Sequence, residues 1–137
     1  MNKPMIIMII LLLLTLGGGA TAFILMNDSE PKDPNNIDLI VERSLETEKI
    51  TTSLQDGTFA QVSFKIQTDS TETKEELEKR MYQVKNIIIN YFSRHAIEDL
   101  DGDNSIPELE KTIKSKINEI LEHGEIEKVY TTSYVLQ

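Results

Sequence analysis

A run of twenty-two uncharged, mostly apolar residues, Met5–Met26, constrains this chain more than any other feature. At about 1.5 Å of rise per residue, a helix of that length spans roughly 33 Å, close to the hydrocarbon thickness of a bilayer. A helix satisfies its own backbone polar groups, so it is the form in which such a segment crosses hydrocarbon. Lys3 precedes the run and acidic residues follow it, so the positive-inside bias places residues 1–4 in the cytoplasm. We therefore expect one transmembrane helix over residues 5–26, with the rest of the chain outside the cytoplasm.

A cleaved signal peptide is the main alternative for the same segment. Lys3 would supply its charged start, Met5–Leu16 its apolar middle, and Ala20–Ala22 a cleavage motif of small residues. Against cleavage, Phe23–Met26 continue the apolar run beyond the motif and bring it to full spanning length. A signal peptide gains nothing from that extension, so the pattern favours a retained anchor.

The chain after the apolar run is strongly acidic. Once Lys3 is set apart, 23 acidic side chains stand against 13 of the chain's 14 basic ones, a net charge of −10. Nucleic acid and anionic lipid bind Lys/Arg patches, so this balance argues against both as partners of the exported part. Residues 27–36 contain two prolines and no apolar side chain, which predicts a short polar tether. Residues 37–137 then form one small domain without cysteine, and so without a disulfide.

The first part of this domain has the pattern of a long β-hairpin. Leu39–Leu54 is rich in β-branched residues and predicts one strand. Gln55–Thr58 contains an Asp-Gly pair, which is favoured in tight hairpin turns. Apolar and polar residues then alternate over residues 60–67, as in a strand that is half buried.

Two helices and a final strand follow. A capping box from Thr73 to Glu76 predicts a helix that runs to about Arg94, with an apolar stripe at Leu77, Met81, Val84, Ile88 and Tyr91. A second capping box, Ser105 to Glu108, predicts another helix whose stripe is Leu109, Ile113, Ile117, Ile120 and Leu121. Its last turn would hold His123 and its left-handed stop would be Gly124. Ile126–Leu136 is dense in strand formers, so the order β-β-α-α-β predicts a small α+β domain with its helices on one face of a sheet.

The sequence offers little catalytic chemistry. His95 and His123 stand at predicted helix ends, where a cation interacts favourably with the helix dipole, and neither has a partner at metal-ligand spacing. Phosphate-binding glycine loops, nucleophile elbows and zinc-binding helices are absent from the sequence. We therefore expect no catalytic residues, no cofactor and no enzymatic activity.

An acidic segment after the first helix leaves one alternative open. Four residues fall at EF-hand ligand positions one, three, five and twelve: Asp99, Asp101, Asp103 and Glu110. Asn104 stands where that loop needs glycine, although asparagine tolerates the left-handed conformation. The apolar stripe of the following helix lies on a different face from that of an EF-hand, and the chain has no second loop to pair with this one. A solvated acidic turn is the favoured interpretation, and an anchored or exported calcium-binding module is the alternative.

Several segments together resemble the flagellar basal-body-associated FliL family. They are Val84–Ser93 with Ile97–Leu100, then Ile117–Leu121, Gly124–Tyr130 and the terminal Tyr134–Gln137, and they follow the N-terminal anchor in the family's order. The residues that carry the C-terminal signature are Asn118, Gly124, Val129, Tyr130 and Gln137. The chain departs from the family pattern at Lys85-Asn86, where members often have an arginine–aspartate pair, and at Thr131, where an aromatic residue is common.

This resemblance implies a non-enzymatic, single-pass protein of the cell membrane at the flagellar basal body. Family members associate with the stator units that turn ion flow into torque, and they assemble into homo-oligomeric rings around the stator. Their exported domain is similar to the stomatin/SPFH (band 7) domain. The resemblance therefore implies the stator complex and further copies of this chain as partners, and a role in torque and in swimming or swarming motility.

Overall fold

The computed structural model describes residues 3–9 and 33–137. Residues 3–9 are helical and their side chains are exposed. Within these two described ranges, no helix is long and apolar enough to cross a membrane. Most of the predicted transmembrane helix Met5–Met26, the alternative cleavage motif and most of the predicted tether lie outside the described residues. Residues 35–137 form a compact unit of their own.

Helices and strands follow one another in this unit in the order α1-β1-β2-β3-α2-α3-α4-α5-β4. The strands are β1 (Ser44–Glu46), β2 (Ile50–Ser53), β3 (Phe59–Thr68) and β4 (Ile126–Leu136). The helices are α1 (Ile37–Glu42), α2 (Thr71–Lys79), α3 (Met81–Phe92), α4 (Ile97–Leu100) and α5 (Ser105–Ile120). The α+β class is confirmed. The predicted order β-β-α-α-β lacks the short helices α1 and α4, the break between α2 and α3, and the division of the first strand into β1 and β2.

The sheet is built around β3, and all its pairings are antiparallel. β4 pairs with β3 from Ala60 to Thr68, so it occupies one edge of β3 over almost its whole length. β1 and β2 must therefore share the other edge, β2 near the start of β3 and β1 near its end. The predicted β2–β3 hairpin is confirmed, and its Gly57 has a φ of +88°, the conformation that an Asp-Gly turn provides.

The predicted single strand Leu39–Leu54 was wrong. Its first residues form α1, because the side chain of Asn36 accepts a hydrogen bond from the Asp38 N–H at 2.9 Å and caps a helical turn. Its remainder is interrupted between β1 and β2 at Thr47. There the Thr47 N–H still donates to the Phe64 carbonyl at 2.8 Å, but the Phe64 N–H donates to the Thr47 hydroxyl at 3.0 Å, so a side chain takes the place of one backbone acceptor of the ladder.

The predicted helix from Thr73 to Arg94 is two helices. The backbone of Arg80, with φ −95° and ψ 11°, separates α2 from α3. The N-cap is also earlier than expected, since the Ser70 side chain accepts the Thr73 N–H at 3.2 Å. Thr73 is buried, and its hydroxyl donates to the Asp69 carboxylate at 2.6 Å, so it is committed to a tertiary contact rather than to capping.

The second predicted helix has the expected stripe but different ends. Ser105 is its first helical residue and not its cap, and the N-cap residue Asn104 makes no side-chain capping bond. α5 ends at Ile120 because Leu121 is extended, so His123 lies beyond the helix rather than in its last turn. Gly124 does have a positive φ, +69°, but within the loop that leads to β4.

The core lies between one face of the sheet and the stripes of α2, α3 and α5. The sheet contributes Ala60, Val62, Phe64, Ile66, Ile126 and Val129. The helices contribute Leu77, Val84, Ile88, Phe92, Leu109, Ile113 and Ile117, all completely buried. Burial of this apolar area is the main term that stabilises the domain. Among the described residues, no helix covers the opposite face of the sheet, where Phe59, Tyr130 and Val135 are exposed.

Candidate interaction surface

The loop of residues 121–125, between α5 and β4, is held by three side chains from other elements. The carboxylate of Glu76 accepts the N–H of Glu122 at 2.9 Å. The Asp69 carboxylate accepts the N–H of Glu125 at 3.1 Å. Asn118 Oδ1 accepts the N–H of Ile126 at 2.7 Å and so ties α5 to the start of β4. These side chains satisfy backbone donors that no helix or strand would otherwise pair.

Glu76 is the most connected carboxylate of this group. Besides the Glu122 N–H it pairs with Arg80 Nε at 2.7 Å, and Arg80 reaches on to the Glu122 carboxylate at 2.9 Å. The N–H of Glu122, together with the Arg80 guanidinium, holds the pKa of the Glu76 carboxyl below its usual range. The charged form of Glu76 therefore joins the break between α2 and α3 to the end of α5.

Gly124 allows the same loop to pass directly over the start of α2. A Cβ at this position would collide with the hydroxyl of Thr73 and lie 2.8 Å from the Asp69 carboxylate. Its φ of +69° also belongs to the left-handed region that glycine adopts without strain. Glycine is thus required here both for backbone conformation and for space.

Two other residues of the C-terminal signature, Val129 and Gln137, help to hold the last strand in place. Val129 is buried in the core, with 6% of its surface exposed. Gln137 closes the sheet, because its backbone N–H and carbonyl both pair with Phe59, at 2.8 and 2.7 Å. Asn118, Gly124, Val129 and Gln137 therefore fix the loop and the last strand, whereas the side chain of Tyr130 has no such role and 45% of its surface is exposed.

Tyr130 belongs to the uncovered face of the sheet, here called the outer sheet face. This face is formed by the β3 and β4 residues that alternate with the core residues, together with Glu46, Thr51 and Ser53. Its exposed apolar residues are Phe59, Tyr130 and Val135, with 53, 45 and 39% of their surfaces exposed. Uncharged polar side chains lie between them, namely Gln61, Ser63 and Thr132.

The charges on the outer sheet face are balanced, in contrast to the rest of the domain, and Glu46 lies opposite Lys65 in the strand register. Lys65 and Lys128 lie on it, and Lys128 Nζ is 5.9 Å from the centre of the Tyr130 ring. Glu127 also lies on it, but it is paired with Arg43 at 3.0 Å. Protein interfaces are enriched in tyrosine and phenylalanine at their centres, and charged residues lie mainly at their rims. Among the described residues, this face is the candidate surface for a protein partner.

The residues of the alternative calcium loop are not brought together. Asp99 lies in α4, where its carboxylate accepts the Ala96 N–H at 3.0 Å and caps that short helix. Glu110 lies in α5, and its carboxylate accepts the Thr131 N–H at 2.8 Å on the free edge of β4. Within residues 3–9 and 33–137, no three His, Asp or Glu side chains form a group that could hold a metal ion. The structure gives the alternative that used Asp99, Asp101, Asp103 and Glu110 no support.

The two histidines have no catalytic partners nearby. His95 lies three residues beyond α3, where its ring stacks on Tyr91 at 4.3 Å between centres and its Nδ1 is 2.7 Å from the Tyr91 carbonyl. His123 lies in the loop before β4. Among the described residues, neither imidazole ring bonds to a hydroxyl or carboxylate, and His123 meets the Glu76 carboxylate only through its backbone N–H, at 3.4 Å.

Comparison with known proteins gives a family match and a close relative. Residues 44–137, from β1 to the last residue, match the family described as flagellar basal body-associated protein FliL. A flagellar protein FliL of Bacillus subtilis (strain 168) is 40% identical over 121 residues, which is 88% of this chain and 86% of the relative. The signature residues and the loop that they hold lie inside the family match.

Proposed function

This chain belongs to the FliL family of flagellar basal body-associated proteins, and we propose that it is an anchored accessory protein of the flagellar motor that supports the stator units. The observation that carries the proposal is the family match over residues 44–137, which covers the whole sheet and four of the five helices of the domain. Association with the flagellar basal body follows from membership of the family. Association with the stator, and an effect on torque, are the proposed steps beyond it.

The anchor and the topology are part of the same proposal. Residues 5–26 hold the chain in the cell membrane, residues 1–4 lie in the cytoplasm, and the domain of residues 37–137 lies outside it. A tether of ten residues, at no more than about 3.5 Å each, keeps the domain within roughly 35 Å of the bilayer. That range suits a protein that surrounds another membrane complex. Copies of the chain assemble into a ring there. The similarity of the family's exported domain to the stomatin/SPFH (band 7) domain supports this assembly.

The structure supports a binding role rather than catalysis. The signature residue Asn118, together with Glu76 and Asp69, is engaged in holding the loop of residues 121–125 and the start of β4. The remaining exposed signature residue, Tyr130, stands on the flat outer sheet face. We propose this face as the contact with the stator, since it carries the exposed aromatic side chains Phe59 and Tyr130 and a balanced set of charges.

The first experiment is a clean deletion of the coding sequence, with swimming speed measured in media of rising viscosity. We expect filaments to assemble normally, swimming to weaken as load increases, and swarming to be reduced. The full chain should restore motility, whereas a chain without residues 5–26 that is still exported should not, because the anchor raises the local concentration near the stator. Wild-type swimming of the deletion strain at high load, or full complementation without the anchor, would contradict the proposal.

A matched pair of surface variants tests the contact face. Tyr130→Glu places a charge on the outer sheet face, and Ile106→Glu places one on α5, at a residue with 36% of its surface exposed. We expect Tyr130→Glu to lower motility and the amount of stator protein that co-purifies, and Ile106→Glu to leave both unchanged. Both proteins should melt within a few degrees of the wild type, since surface substitutions usually change stability by less than about 0.5 kcal/mol. Equal motility of the two variants would remove the outer sheet face from the proposal.

A further inference from the structure

A groove between α3 and α5 differs in charge from the rest of this acidic domain. A hollow of about 480 Å³ lies there, with an apolar floor that includes Ile87, Tyr91 and Ile113. Two cationic side chains line it, Arg94 on its α3 side and Lys116 on its α5 side. Glu108 is the carboxylate in the lining, and Lys116 also pairs with Glu119 at 3.1 Å. In a domain with many more acidic than basic residues, this groove is therefore balanced in charge, and Arg94 is its main cation for an acidic partner.

The groove is long enough for a short helix. A second hollow of about 450 Å³ shares Asn86 and Ile87 with the first and extends to Tyr82 and Ile120. From Tyr82 to Tyr91, α3 advances about 14 Å at roughly 1.5 Å per residue, which is about two and a half helical turns. An apolar floor with polar walls is the form in which proteins bind an amphipathic helix.

α1 has the complementary character. None of its residues is buried, and Ile37 and Val41 have 66 and 53% of their surfaces exposed. These two residues are four positions apart, so they lie on the same side of the helix. Asp38 and Glu42 follow them directly and form an acidic row beside the apolar one.

We propose that α1 of one copy lies in the α3/α5 groove of a neighbouring copy, with Ile37 and Val41 on the apolar floor and the acidic row toward Arg94 and Lys116. This contact rests on the proposed self-assembly of the chain at the stator, and it names the two surfaces through which the copies would bind each other. A second copy is the occupant because the same chain supplies both complementary surfaces in equal number, within the same layer beside the membrane. Since the two surfaces are different, the contact runs head to tail and closes into a ring when the rotation allows.

Cysteine cross-linking in membranes tests this contact directly, because the chain contains no cysteine of its own. Two full-length copies with different tags are co-expressed, one with Val41→Cys and the other with Asn90→Cys, a groove residue on α3. Mild oxidation should produce a disulfide-linked species that carries both tags, since a bridge forms only when Cβ atoms approach to about 4 Å. The matched control pairs Val41→Cys with Lys128→Cys on the outer sheet face, and its yield should be at least tenfold lower.

The charges give a second readout that unfolding cannot imitate. Arg94→Glu in the groove copy should reduce the cross-linked yield at least fivefold, and Glu42→Arg in the other copy should restore it. No loss with Arg94→Glu, or no recovery in the charge-exchanged pair, would overturn the proposed orientation.

Co-purification of the two tags without oxidation separates this inference from the proposed function. A yield equal to the control pair, from copies that still co-purify, would overturn the groove contact and leave self-assembly intact. Copies that neither cross-link nor co-purify would overturn both. A bridge from Asn90→Cys to a different protein would also overturn the proposal, by giving the groove another occupant.

Discussion

Replacing Gly124 by alanine is the perturbation whose cost the structure defines most closely. The left-handed φ of +69° costs an alanine about 1 kcal/mol. The new methyl group also collides with the Thr73 hydroxyl, which must leave its 2.6 Å hydrogen bond to Asp69. Breaking that bond at a buried threonine adds about 1–3 kcal/mol. We therefore expect Gly124→Ala to lower the free energy of unfolding by about 3 kcal/mol, and Tm by about 12–24 °C for a domain of this size.

Two other glycines provide matched controls for this substitution. Gly57 has a φ of +88° but nothing within 4 Å of an added Cβ, so Gly57→Ala should cost only the backbone term of about 1 kcal/mol. Gly102 also has open space and no positive φ, so Gly102→Ala should change stability by less than about 0.5 kcal/mol. Thermal unfolding of the full chain in detergent, followed by circular dichroism, ranks the three variants.

A double variant identifies the collision as the cause. Thr73→Ala removes the hydroxyl that the new methyl group meets, so adding it to Gly124→Ala should cost less than the sum of the two single changes. The reasoning is refuted if Gly124→Ala and Gly57→Ala lower Tm equally. It is also refuted if the two single effects at Gly124 and Thr73 add without any coupling.

The remaining predictions use the same unfolding assay. Asn118→Ala removes the 2.7 Å acceptor of the Ile126 N–H and should cost about 1–3 kcal/mol, whereas Asn118→Asp, which keeps an acceptor, should cost less. The lowered pKa of Glu76 stabilises the fold above the unfolded value of about 4.3, and this contribution is lost as pH falls through the folded pKa. Glu76→Gln should therefore lose less stability than the wild type between pH 7 and 3, and an equal loss would contradict this. Ile88→Asp buries a charge and should prevent folding, whereas Ile89→Asp, at a residue 41% exposed, should fold; two folded variants would contradict the assigned core.

Local sequence patterns correctly predicted the helices and strands whose tertiary contacts favour the same conformation. The Asp-Gly turn and the alternation over residues 60–67 predicted the β2–β3 hairpin, because a two-residue period has one buried face whichever strand lies beside it. The strand Ile126–Leu136 was predicted with the bounds that the structure has. The stripe that includes Leu109, Ile113 and Ile117 is buried as expected. The resemblance to the FliL family, also read from these segments, is confirmed by the match over residues 44–137.

Predictions failed where a polar side chain had more than one possible partner. Thr73 has the sequence context of an N-cap, yet its hydroxyl donates to Asp69, and Ser70 caps the helix instead. Glu110 belonged to the calcium loop that was the disfavoured alternative to a solvated acidic turn, and its carboxylate accepts the N–H of Thr131 at the edge of the sheet. Spacing along the chain cannot identify the hydrogen-bond partner of such a side chain, because a local partner competes with a distant one that comes close only after folding.

The sequence by itself determined the α+β class, the hairpin and the apolar stripes, since these depend on periodicity and on local conformation. The residues of the C-terminal signature came from the resemblance to the family. The tertiary structure alone decided what the signature residues do. It set Gly124 against Thr73, Asn118 against the N–H of Ile126, and left Tyr130 exposed on a face without a helix. The physical reason is that hydrogen-bond partners and close approaches join residues distant in sequence, and their energies exist only once the sheet and helices have packed.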